Sequence, residues 1–130
     1  MLVTWTADPA PELIVWRIAD GALIRSLPSA SVVSGMGTIL AVNANLSLIA
    51  QGAPDGRVRV LDGTTGRERW SVKVSEEYVT AVALSPDGQL LATGSGFSES
   101  DIRLWDAASG REAGRLEGHR SWVGTLLFWP

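Results

Sequence analysis

Short apolar runs alternate with clusters of Gly, Pro, Asp, Ser and Thr along the whole chain. The clearest stretch runs from Val79 to Gly118. "VTAVALS", "QLLATGS", "DIRLWD" and "EAGRLEG" are four runs of strand length, rich in β-branched and aliphatic residues. Ser85-Pro86-Asp87-Gly88 predicts the turn between the first two, with Pro at the second position and Gly closing it. Ala107-Ala108-Ser109-Gly110 predicts the turn between the third and fourth, with Gly110 free to take positive φ. The first two runs are apolar almost without interruption, the pattern of strands buried on both faces. The fold class expected is all-β, with antiparallel strands.

The pattern repeats. Trp16, Leu61 and Trp105 are 45 and 44 residues apart, and each is followed five positions later by glycine (Gly21, Gly66 and Gly110). A second register agrees: "TILAVNANLSLIAQG" (38–52) overlies "TAVALSPDGQLLATG" (80–94) without a gap. "WVGTLLFWP" at the end overlies "YVTAVALSP", placing Pro130 opposite Pro86. A fixed period of this length indicates stacked supersecondary units that bury their faces against one another.

Composition narrows the function classes. Lys and Arg total 11 against 14 Asp and Glu, a net charge of −3, so nothing points to nucleic acid or an anionic membrane. Without cysteine there are no disulfides, thiolate metal sites or cysteine nucleophile. "MLVTWTADPAPE" is not a signal peptide, and no apolar segment is long enough to span a bilayer, so a cytoplasmic location is expected.

The period, the Trp105-Asp106 pair, the "SPDGQLLATGS" turn and Gly118-His119 together resemble the WD-repeat family of β-propellers. The unit from Val79 to His119 matches specifically, whereas the others carry Trp16-Arg17 and Leu61-Asp62 in place of Trp-Asp. The resemblance implies blades of four antiparallel strands and a structural hydrogen-bonded set of His, Ser or Thr, Asp and Trp. Asp55 fits the Asp position in the middle unit, but Leu61 replaces its Trp. In the next unit Trp105 is present, with Glu99 near the Asp position and Ser75 near the His, so no unit carries the full set. "VRVLDGTTGRERWSV" (58–72) is also similar to the repeat of quinoprotein-type propellers.

In this frame residues 1–30 supply strands two to four of a first blade, 31–74 a second blade, 75–118 a third, and 119–130 the first strand of a further one. Three blades are too few for a closed propeller. The expected remedy is a homodimer in which Trp122–Trp129 of one copy completes the blade begun by Leu2–Trp5 of another, giving a six-bladed ring. The self-association residues are then Val3, Thr4, Trp5, Val123, Leu126 and Phe128. The competing account is a fragment of a larger multidomain signalling protein or enzyme, in which the blades sense or position a partner.

No catalytic, cofactor or metal site is expected. There is a single histidine, His119, whose place in Gly-His makes it structural under the family resemblance, and the carboxylates sit in turns. "GSGFSESD" (94–101) lacks the Lys-Ser/Thr ending of a phosphate loop and is a connection between strands, two residues longer than its counterpart in the middle unit. The resemblance implies a scaffold that binds a protein or peptide on its loop faces. Glu76, Glu77, Glu99 and Asp101, with His119 and Arg120 nearby, mark the candidate partner face, to which a basic peptide is the suggested ligand.

Overall fold

The computed structural model describes residues 1–6, 12–28, 39–96, 98 and 100–129. Eleven strands form three antiparallel sheets among them. β1 (Leu2–Thr6), β2 (Glu12–Trp16) and β3 (Leu23–Pro28) make the first sheet. β4 (Ile39–Val42), β5 (Leu48–Gly52), β6 (Arg57–Asp62) and β7 (Glu68–Lys73) make the second. β8 (Val79–Leu84), β9 (Leu90–Ser95), β10 (Ile102–Asp106) and β11 (Glu112–Leu116) make the third. Each sheet is a simple meander of sequence neighbours, the order that short turns impose. β9 is almost wholly buried, as its apolar run predicted, and β5 is buried throughout, while β7 and β11 lie at the exposed edge.

The sheets stack face to face. Leu48, Ala50, Val58 and Val60 of the second pack with Val82, Leu84, Leu91 and Trp105 of the third, and Trp70 closes over this cluster. Ile49 and Leu61, on the opposite face of the second sheet, pack with Val3 of the first. Each fully buried aliphatic side chain contributes on the order of 1.5–3 kcal/mol. The junction of the second and third sheets is therefore the main source of stability.

The turn before the last strand is built alike in each unit. Gly21, Gly66 and Gly110 have φ of 69°, 73° and 75°, and their amides donate to the carbonyls of Arg17, Asp62 and Asp106. In the second and third units an Asp side chain also caps the turn: Asp62 accepts from the amides of Thr64 and Thr65, and Asp106 from those of Ala108 and Ser109. In the first unit Arg17 replaces that Asp, and Asp20 takes over by accepting from the Ala22 amide and pairing with Arg17 at 2.9 Å.

These caps make stability depend on pH. The Arg69 guanidinium and two turn amides hold the Asp62 carboxyl far below its ordinary range. The Ser109 amide and hydroxyl lower Asp106, and the Ser85 hydroxyl and Gln89 amide lower Asp87. A carboxylate that is a stronger acid when folded contributes fully above its unfolded pKa, near 3.9, and loses that contribution as pH falls through the folded value. Urea midpoints are expected to drop below about pH 4. D62N is expected to flatten that drop, and identical pH profiles for D62N and the wild type would show that this cap is not linked to folding.

Candidate interaction surfaces

Trp105 and Trp16 each donate from the indole nitrogen to a threonine hydroxyl on the neighbouring strand, Thr93 at 2.9 Å and Thr4 at 2.8 Å. The strand registers place Gln51 at the equivalent position in the second sheet, on the strand paired with Leu61. Gln51 is fully buried, and neither of its amide atoms has a hydrogen-bond partner. Position 61 carries leucine and not an indole, so that strand offers Gln51 no donor of the kind that serves Thr93 and Thr4. The same misfit touches Arg59, its cross-strand neighbour, whose Nη1 is buried and unpartnered.

The ladder between the last two strands shifts register at the same place in every sheet: after Val15, after Val60 and after Leu104. A bulge of this kind re-aims the following side chains. Just past it lie Arg25, Trp70 and Gly114, each paired with the residue preceding the shift. Arg25 donates to the carbonyl of Gly63 at 2.6 Å, tying the first sheet to the second. Trp70 donates to the carbonyl of Ala107 at 2.9 Å, tying the second to the third. Arginine and tryptophan thus do the same job at the outer end of successive interfaces. Gly114 has no side chain to do it, and a Cβ placed there would meet nothing within 4 Å.

A second repeated contact lies near the inner end. A Cβ on Gly52 would fall 2.6 Å from Val79 of the following unit, and one on Gly94 would fall 2.7 Å from Val123. Val123 is buried, and Leu126 and Phe128 pack with it on Ala81, Ala92 and Ile102. The segment 122–129 was expected as a strand, but it belongs to no ladder among the described residues because no strand lies beside it. It nevertheless lies on the third sheet as β8 lies on the second.

Of the other expected self-association residues, Val3 faces the second sheet, Thr4 accepts from Trp16, and Trp5 pairs through its backbone with Leu13. The side chain of Trp5 lies outside the described residues, as does Glu99. Glu76 and Glu77 line an open cleft of about 320 Å³ with Pro54 and Tyr78. Glu76 pairs with Lys73 at 2.7 Å. Glu77 accepts from the amide and hydroxyl of Ser98, which hold its carboxyl below the ordinary range. Asp101 lines a second, polar cleft with Ser95, Ser98, Ser100, Arg103 and Arg115, which meets Glu77 through Ser98. His119 and Arg120 are exposed, and His119 contributes its carbonyl to the Ser100 hydroxyl at 2.6 Å. Among the described residues no group of His, Asp or Glu has a geometry that could hold a metal ion.

Stacked four-stranded meanders, joined at inner and outer ends by repeated contacts, are the blades of a β-propeller. The family model described as "WD domain, G-beta repeat" matches residues 67–106. The chain is 38% identical over 89 residues to "Cell division cycle 20.1, cofactor of APC complex" of Arabidopsis thaliana, a match covering 66% of this chain and 18% of that protein. It is 29% identical over 118 residues to "WD repeat and SOCS box-containing protein 1" of Homo sapiens, covering 90% of this chain and 28% of that one. The chain thus spans less than a third of either relative. Among solved structures it superposes on the computationally designed Ika4 protein with a TM-score of 0.69 and 28% identity, covering 98% of this chain and 73% of that one. Residues 67–106 thus carry a WD repeat, and over most of its length the chain is similar to WD-repeat proteins and propellers.

Proposed function

We propose that the chain is a non-enzymatic protein-interaction scaffold whose blades are closed into a ring by a second copy. WD-repeat proteins are in general protein-interaction scaffolds, and the comparisons support that part directly. The observation that carries the self-association is the repeated inner contact, Val79 on Gly52 and Val123 on Gly94. It gives residues 122–129 the station of a first strand, ready to accept β1 of another copy as its second. Exposure at the other end of the stack supports the same reading. Leu2 is 53% exposed, whereas its register equivalents Ile49 and Leu91 are 4% and 0% exposed beneath a preceding blade. Two copies of this arrangement make six blades, within the range of known propellers.

Light scattering across a dilution series tests the closure. A stable dimer is the expected result, and L127D, which puts a charge on an exposed position of the accepting strand, is expected to shift it to monomer. A wild-type monomer at all concentrations would overturn closure by a second copy. It would favour a second reading, in which these blades belong to a longer chain, a possibility supported by the greater length of both relatives. On the loop face, Glu76 and Glu77 remain the residues proposed to meet a basic peptide. E76K is the cleaner probe, because E77K also releases Ser98.

A further inference from the structure

The apolar cluster between the second and third sheets has a partial copy on the open face of the third. Leu126 and Phe128 overlie Val82 and Leu84 in sequence. The registers match Ala92, Ile102, Leu104 and Leu116 to Ala50, Val58, Val60 and Val72. In the complete cluster those four residues of the second sheet pack with Leu91 and Trp105, which the next blade supplies. Among the described residues no further blade lies on the third sheet, and there the matching residues line an apolar cavity of about 120 Å³. The first blade carries the missing pair. Leu2 and Trp16 are cross-strand partners as Leu91 and Trp105 are, and each indole is held by a threonine hydroxyl of the strand beside it. Leu91 and Trp105 are buried, whereas Leu2 is exposed and Trp16 only half-buried.

We propose that Trp16 of a second copy, with Leu2 beside it, fills this cavity and anchors the closing interface. This rests on the ring-closure reading, and it adds the side chain and the receiving surface through which one copy grips the other. The hydrogen bond to Thr4, at 2.8 Å, orients the indole before a partner arrives, so little side-chain freedom is lost on docking. That bond also satisfies the indole N–H within its own copy, so burial leaves no donor stranded. A pre-oriented tryptophan entering a site walled by aliphatic and aromatic side chains has the make-up of an interface hot spot. Leu116, exposed at the rim of the cavity, would be covered by the same contact.

A double-mutant cycle on the whole chain tests this, with dimer dissociation constants measured by analytical ultracentrifugation. W16A is expected to weaken the dimer at least about tenfold, a hot-spot-sized effect. L104A, on the receiving side, is expected to weaken it as well. Because the two side chains meet, the loss from L104A should be at least about threefold smaller in the W16A background than in the wild type. Urea unfolding of each variant checks that the blades remain folded. W16L, which carries the leucine found at position 61, takes the place of W16A in the cycle if the alanine variant does not fold. A wild-type dimer that the change at Trp16 leaves unaltered would overturn the contact while leaving ring closure intact. Losses that simply multiply would also overturn it, since Trp16 would then act away from Leu104. A monomeric wild type would overturn the closure reading and this inference together.

Discussion

Trp105→Ala lowers the unfolding free energy by about 3–5 kcal/mol, the range for removing a large aromatic side chain from a core. Trp105 is 4% exposed, lies between the second and third blades with Leu84, Leu91 and Val60, and donates to the Thr93 hydroxyl. Truncation leaves a void in the largest cluster and strips a buried hydroxyl of its donor, and both effects have the same sign. Typical domains have only about 5–15 kcal/mol in total, so a large part of the stability goes. Trp16→Ala, at the equivalent place on an open face, is expected to cost far less in the monomer. Urea unfolding of both variants provides the comparison, and equal losses would show that the two indoles are equally buried, contrary to the packing described.

Gly56→Ala is the second change with a large expected effect, and it acts through the backbone. Gly56 has φ of 78°, where a side chain is strained. A Cβ there would collide with the carbonyl oxygens of both Ser75 and Glu77. The carbonyl of Gly56 also accepts from the amides of Val74 and Ser75, at 2.9 and 3.3 Å, so moving it away disturbs the passage from the second blade to the third. A loss of at least about 2–3 kcal/mol is expected from strain and displaced hydrogen bonds together. Gly21→Ala is the control: φ is similar, at 69°, but nothing lies within 4 Å of the added atom. Thermal melts should separate the two variants clearly. Equal shifts would assign the whole effect to positive φ and none to the collision.

What could be seen in the sequence was local. The turn from Asp106 to Gly110 is specified within five residues, by a capping carboxylate and a glycine at positive φ, and its spacing recurs wherever the unit recurs. The strands follow from apolar runs whose length and burial agree with β5, β8 and β9. The six-residue connection 96–101 is indeed two longer than 53–56. What stayed hidden depends on partners distant in the chain. Arg25 and Trp70 share only an N–H donor, and the bulge before each is what shows that they hold the same post. Glu77 read as an open loop charge because its partner, Ser98, is 21 positions away. The misfit of Gln51 is invisible until the pairing of its strand with the one carrying Arg59 and Leu61 is known.

The turn that closes on Gly21, Gly66 and Gly110 draws its main hydrogen bonds from its own few residues. A segment that needs nothing from outside can be copied whole into a new place and still form. Duplication therefore lengthens such a chain at little risk to folding. The surfaces between copies are then free to differ, as Arg25 and Trp70 do at successive interfaces. Once that has happened the copies stop being interchangeable, and a row of duplicates acquires a fixed order.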